Sequence, residues 1–333
     1  MDSEIQQVLQ VLSKAIIRET AAFNYYYKGS EDASFPPGVR GLLSRLAEEE
    51  RMHRHLLMNE YIAVEKGWQG APSEGKGHDL SYAVPDEPVY VSLDVSSDLE
   101  VTAVSLPARL VGGDNILSTV IRDHNGKETG TFLLLYDVMG HSIETTEINA
   151  LAARVLGEYL EASCSVKMEK ELVSPQKVVQ HLNEKISEKF EGQGVFLTLL
   201  CALFDSENKM MTYTLAGHEP PFLVNDRGSV GSLLNTQLIV GIDAGFRYLE
   251  HKVPFREGDL LCIFSDGIVE AENAAGEIYG RERVAGIMEK FWEMPSEAIV
   301  RSMLSDLREF CWGMPLKDEV SIVIVGAKGV KNG

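Results

Sequence analysis

Between residues 89 and 326 the chain is broken into short apolar runs bounded by turn residues: VYVSLDV (89–95), EVTAVSL (100–106), TFLLLYDV (131–138), FLTLLCALFD (196–205), MMTYTLAG (210–217), LLCIFSDG (260–267) and EVSIVIVG (319–326). Each has strand length and is rich in β-branched or aromatic residues. Helical periodicity is confined to about 143–163, 174–190 and 295–312. Strands therefore mostly follow strands, which predicts an α+β layered sandwich rather than a parallel doubly wound sheet, where a helix must separate successive strands.

Three of these runs carry an acid at one end. Asp137 follows FLLLY, Asp266 follows LLCIFS, and Asp318 stands just before EVSIVIV. A carboxylate at the mouth of a buried strand needs a cation, donors or water. A single such acid is most often a turn former or a helix N-cap. Three acids at strand ends, with glycine close behind two of them to permit tight turns, point instead to a carboxylate cluster, and carboxylates without His or Cys nearby suit hard cations such as Mg²⁺ or Mn²⁺.

The segments PARLVGGD, DVMGHS, LTLLCALFDSENKMMTYTLAGHEPPFLV, VGIDAGFRYLEHKVPFREGDLLCIFSDGIVEAENAAGEIYGRERV and DEVSIVIV occur in one order across residues 88–326. In that order and spacing the region resembles the PPM/PP2C-type serine/threonine phosphatases, in the bacterial branch related to the RsbU and SpoIIE regulators. The resemblance implies a PP2C-like α/β/β/α sandwich over residues 88–330. It implies two Mn²⁺ or Mg²⁺ ions bridged by Asp137, with the Val138 carbonyl, Asp266 and Asp318 completing their shells and Asp114 acting at the second ion. A water between the ions would attack the phosphorus of phosphoserine or phosphothreonine in line. The implied substrate is a phosphorylated regulatory protein, a STAS-type anti-sigma-factor antagonist.

The chain departs from the family pattern at three places. Ser142 stands where the family usually has glycine, Leu117 where it often has a second acid, and Glu319 where it often has a second aspartate. These departures keep open a catalytically silent, partner-binding scaffold. Arg109 is a candidate phosphoryl ligand through its bidentate guanidinium, against the plainer reading of a solvated strand-end arginine. His141 and His218 read as structural.

Residues 3–28 and 38–66 both have helical periodicity and are separated by GSEDASFPPG, a helical hairpin over 1–68, with a Gly- and Pro-rich linker at 69–87. On the first helix the stripe Ile5, Val8, Leu12, Ile16 continues through Glu19 to Phe23 and Tyr26. On the second, Leu42 and Leu46 continue through Glu50 and His53 to Leu57 and Tyr61. Glu50 and His53 have the Glu-x-x-His spacing of di-iron carboxylate bundles, and the segment resembles half of a rubrerythrin-like ferritin domain. Half a bundle cannot close a di-iron site, so the expectation is a homodimer whose paired hairpins form a four-helix bundle around a di-metal centre of Glu19, Glu50 and His53. The plainer reading is a dimerisation device with a solvated acidic face. A rival from another class makes this bundle the working part, a di-iron oxidoreductase or sensor.

Composition removes other classes. A formal net charge of −19 repels phosphate backbones, which disfavours nucleic acid as a partner. No run approaches 18 apolar residues, so no membrane span is expected. The N-terminus lacks the pattern of a signal peptide, and four scattered cysteines without a CxxC pair fit the reducing cytoplasm.

Overall fold

The computed structural model describes residues 3–31, 88–106, 114–123, 125–139, 174–190 and 195–328, with single helical positions at 40, 43, 47, 50, 57, 61, 64, 148, 151, 152, 154 and 155. The expected linker at 69–87 lies outside the described residues.

The strands are β1 (Val89–Tyr90), β2 (Leu99–Leu106), β3 (Asp114–Arg122), β4 (Glu128–Met139), β5 (Phe196–Asp205), β6 (Met210–Ala216), β7 (Phe222–Val224), β8 (Val230–Ser232), β9 (Thr236–Gln237), β10 (His251–Pro254), β11 (Leu260–Phe264) and β12 (Val320–Ala327). The helices are α1 (Ser3–Glu31), α2 (Pro175–Lys189), α3 (Asp266–Val269), α4 (Arg281–Phe291) and α5 (Ser296–Cys311). One sheet has the order β1-β2-β12-β11-β7-β8 and the other β10-β6-β5-β4-β3, with β9 added beside β6. Among the described residues every strand pairing is antiparallel except β6 with β9. The α/β/β/α sandwich expected from the sequence is the arrangement observed.

Period-two alternation divides the core into layers. Leu133 and Leu135 of β4, Leu200 and Ala202 of β5, Leu261 and Ile263 of β11, and Val323 and Val325 of β12 fill the space between the sheets. The alternate residues point outward under helices. Phe132, Leu134 and Tyr136 pack with Val178, Val179 and Leu182 of α2, while Cys262, Phe264, Ile322 and Ile324 pack with Ile299, Val300, Met303 and Leu307 of α5. Because both faces of the central strands are covered, they read as continuous apolar runs.

Helix ends follow from local chemistry. Ser174 caps α2, its side chain accepting from the Lys177 N–H, and Pro175 at the first helical position gives up a donor the helix does not need. Glu100 of β2 accepts from both the backbone N–H and the hydroxyl of Ser296, pinning the start of α5 to the sheet.

Strand β3 and helix α4 lie outside the elements predicted from sequence. In β3, Asn115, Ser118 and Thr119 interrupt the apolar run because the strand closes one edge of its sheet. Helix α4, RERVAGIMEKF, buries only Arg281, Val284, Ile287 and Met288. Its charged outer face and short length hide the period. Cys201, Cys262 and Cys311 are buried free thiols, as expected of small core residues.

Helix α1 does not expose its whole apolar stripe. Leu9 and Ile16 of α1 and Tyr61 of the second segment join Phe196 of β5 and Ile239 in one cluster, edged by Leu12, Leu57, Val64 and Ile242. Ile16, expected at the seam of a dimer, is fully buried within its own chain, while Val8 of the same stripe is 45% exposed. The face is rotated because residues 9, 12 and 16 follow the helical period as well as 8, 12 and 16 do. Among the described residues, no helix is long and apolar enough to cross a membrane.

Candidate active site

At one end of the sandwich the inter-sheet layer stops being apolar. The inward positions that continue Ala103, Ile116, Leu135, Leu200 and Val323 are Ser105, Asp114, Asp137, Thr198 and Ser321, and one further step along the last chain is Glu319. The registers place them side by side: Ser105 opposite Ser321, Asp114 opposite Asp137, and Asp137 opposite Thr198. From the sheet that holds Ser105 and Ser321, Asp266 opens α3 with one residue, Ser265, between it and the end of β11, and Asp318 precedes β12. The three acids first singled out in sequence, together with Asp114 and Glu319, therefore meet at a single edge.

Hydrogen bonds fix this edge. Ser105 Oγ donates to Glu319 Oε1, and the Asp114 backbone N–H donates to Glu319 Oε2 at 3.2 Å. Ser265 Oγ donates to the Glu319 carbonyl at 3.0 Å and accepts from the Ser321 N–H at 2.9 Å. Gly267 is required by proximity rather than by a left-handed turn, since a Cβ there would lie 2.0 Å from the Glu319 carbonyl oxygen. This differs from the turn-forming role that its position after Asp266 suggested.

The acids act on one another. Asp137 is pushed up to about 7, by burial first and then by the charges of Asp318 and Glu319, against a lowering by the Val138 N–H. Burial, then Asp137 and Glu319, raise Asp114 well above the carboxylate range. Burial, then Asp137, Glu270, Asp318 and Glu219, do the same to Asp266. The Ser321 hydroxyl lies near enough to Asp114 to favour its ionised form, but neither Ser321 Oγ nor Asp114 Oδ2 completes a hydrogen bond of ordinary geometry, so the buried Oδ2 stands without a donor.

An orphaned carboxylate oxygen amid mutually repelling acids fits a hard cation in donor chemistry. The fit is one of donor type and convergence. Among the described residues no three His, Cys, Asp or Glu side chains are gathered closely enough to enclose one ion. Val138 is buried on the helix side, which leaves its backbone as the group it can offer the site.

The departures from the family pattern sort by face. Leu117, three residues beyond Asp114, points to the opposite side of β3 and packs against the α2 core. Glu319 faces inward, whereas Asp318 is exposed beside it. Arg109, His141 and Ser142 lie outside the described residues.

Of the polar residues around the acids, His218 was read from the sequence as structural, whereas Thr198, Glu219 and Arg281 were not singled out. His218 is 3% exposed and held to about 4 by burial, its Nδ1 standing 3.3 Å from Thr198 Oγ1. Next to it Glu219 forms a buried ion pair with Arg281 at 2.9 Å. The available signal was the serine or threonine that replaces an apolar residue at the inward position of β2, β5 and β12 nearest the site, Ser105, Thr198 and Ser321. In the hairpin, Glu19 and Glu50 are both half-buried, and His53 lies outside the described residues.

Comparison with known proteins places these features in a wider group. The profile of the Stage II sporulation protein E (SpoIIE) family matches residues 127–328. The phosphoserine phosphatase RsbU of Bacillus subtilis is 22% identical over 232 residues, covering 69% of this chain and 64% of its own length, so the chain spans less than two thirds of that relative. The SiaA-PP2C domain of Pseudomonas aeruginosa superposes with a TM-score of 0.56 at 17% identity, covering 67% of this chain and 84% of that one. The PP2C domain of Bacillus subtilis SpoIIE with a fragment of its regulatory domain gives a TM-score of 0.56 at 14% identity over 98% of both chains.

Proposed function

Because the chain belongs to the SpoIIE family and has the PP2C fold, we propose that it is a metal-dependent phosphoserine and phosphothreonine protein phosphatase. The observation that carries this reading is the convergence of Asp114, Asp137, Asp266, Asp318 and Glu319 on one edge, with a buried carboxylate oxygen left without a donor.

In this reading Asp137, Asp266 and Asp318 hold a pair of Mn²⁺ or Mg²⁺ ions with help from the Val138 carbonyl, and Asp114 serves the second ion. Bound there, the ions would polarise the phosphoryl oxygens and acidify a water for in-line attack. Glu319 orders Asp114 through its backbone N–H. Ser265 and Gly267 keep the α3 end of the site against the Glu319 backbone.

The substrate in this reading is a phosphorylated regulatory protein of the STAS anti-sigma-factor antagonist type, and the likeness to the phosphoserine phosphatase RsbU supports phosphoserine as the group removed. The N-terminal hairpin, with Glu19, Glu50 and His53, is assigned as a regulatory and dimerising segment with a di-metal site. The half-burial of both glutamates is what supports it.

The test is turnover of p-nitrophenyl phosphate and a phosphoserine peptide with added Mn²⁺, in wild type and Asp266→Asn. Manganese-dependent turnover that falls at least 100-fold in the variant is the expected result. Equal turnover in the two proteins, or none in either, removes the reading.

A further inference from the structure

At the acidic edge the chain passes from the sheet of β6 to the sheet of β7 through Gly217, His218, Glu219, Pro220 and Pro221, all of them described residues. This crossing faces both halves of the carboxylate cluster. Asp114 and Asp137 belong to the β3–β4 sheet, while Asp266 and Asp318 belong to the β11–β12 sheet.

Toward the first half, Gly217 is bridged to Leu199 and donates to the Gln237 carbonyl at 2.9 Å. Its φ of +66° and the 2.3 Å that would separate a Cβ from Ile239 Cγ1 fix it as glycine. His218 then reaches Thr198, the residue directly opposite Asp137 in the ladder. The other ring nitrogen, Nε2, is buried without a hydrogen-bond partner.

Toward the second half, Glu219 pairs with Arg281, and the same guanidinium donates to the Pro220 carbonyl at 2.6 Å and to Ser232 Oγ at 2.9 Å. Its plane lies over the rings of Phe222 and Phe264, 4.6 and 5.2 Å from their centroids. Phe264 is the last residue of β11, two before Asp266, and the charge of Glu219 is felt at Asp266. A buried ion pair is a poor way to join two apolar sheets, because desolvating both charges offsets most of their attraction. Its location, between the crossing and the strand that delivers Asp266, is better accounted for by geometry than by stability.

We propose that residues 217–221 form a strap in which His218, through Thr198, and Glu219, through Arg281, are positioning residues that set the separation between the Asp137 half and the Asp266 half of the carboxylate cluster. The proposal rests on the phosphatase reading and deepens it. The strap touches no reacting atom. It holds two sets of ligands at the spacing a shared pair of cations requires, as groups behind metal ligands commonly do.

The experiment uses the full chain and Mn²⁺ itself as probe, with binding followed by loss of the six-line EPR signal of the free ion, beside thermal unfolding in chelator. His218→Ala is expected to weaken Mn²⁺ binding roughly 10–100-fold. His218→Asn, which returns a polar atom toward Thr198, recovers most of the loss. Glu219→Gln/Arg281→Met, which leaves no buried charge unpaired, weakens binding over the same range. In turnover, the Mn²⁺ half-saturation rises while KM for p-nitrophenyl phosphate stays within about twofold, a split that lowered stability alone does not produce. Wild-type Mn²⁺ affinity in His218→Ala and in the double variant overturns the strap. Should either fail to unfold cooperatively, Thr198→Val cuts the same link from the strand side, and wild-type affinity there overturns it equally. A wild-type protein that neither binds Mn²⁺ nor turns over substrate removes the phosphatase reading, and the strap with it.

Discussion

Tyr61 stands edge-on to Phe196, their ring centroids 5.3 Å apart and their planes at 77°. Phe196 opens β5 two residues before Thr198, so the aromatic pair ties the N-terminal hairpin to the strand that flanks Asp137. Tyr61→Ala removes the largest side chain of that contact. It should destabilise the docked hairpin by about 2–4 kcal/mol. Hydrogen exchange should then rise in α1 while the amides of β11 and β12 keep their protection. Unchanged exchange in α1 would mean that the contact carries little of the docking.

Leu117 occupies the position where related sequences often place an acid, yet it packs against the α2 core. Leu117→Asp should therefore cost about 1–3 kcal/mol by burying a carboxylate among apolar groups. It should not raise manganese-dependent turnover. Urea unfolding and a Mn²⁺ titration of activity check the two halves of this expectation.

Asp137 rises from its ordinary 3.8 to about 7 in the protein without cations. A carboxyl whose folded value lies above its unfolded value holds its proton more tightly when folded. Its stabilising contribution is thus complete below about pH 4 and is lost as the pH climbs toward 7. Chelator-treated wild type should lose roughly 1–3 kcal/mol between pH 4 and 7 relative to Asp137→Asn, allowing for the solvent access of a half-buried group. Unfolding by urea at three pH values measures the difference, and parallel curves for the two proteins would contradict it.

Gly267→Ala places a methyl group 2.0 Å from the Glu319 carbonyl oxygen. The α3 turn and the start of β12 must then part. A loss of about 1–3 kcal/mol is expected, with weaker Mn²⁺ binding because Asp266 and Glu319 move apart. Calorimetric unfolding and Mn²⁺ titration would show both, whereas an unshifted midpoint would mean that the two segments are not in contact.

Much of this arrangement was legible in the sequence. FLLLYD and LLCIFSD announce strands covered on both faces and ended by an acid, and the order of the segments led to the sandwich. The edge strand β3 was not legible, because Asn115, Ser118 and Thr119 dilute its pattern. The partner of Glu219 was hidden for a different reason. Arg281 is 62 residues away in sequence, and on its own helix it reads as one more surface charge. Only the crossing of the chain between the sheets brings the two together. His218 was read as structural, and its place behind Thr198 depends on the β5–β6 register, which no local pattern encodes.

The alternation that turns Leu133 and Leu135 inward is also what turns Asp137 inward. Deleting any single residue between 131 and 136 would leave an apolar strand able to pair with β5, yet every downstream side chain would change faces. Asp137 would then point under α2 and Val138 into the acidic edge. The strand can therefore drift in composition through substitution, but a change of length within it erases the site in one step.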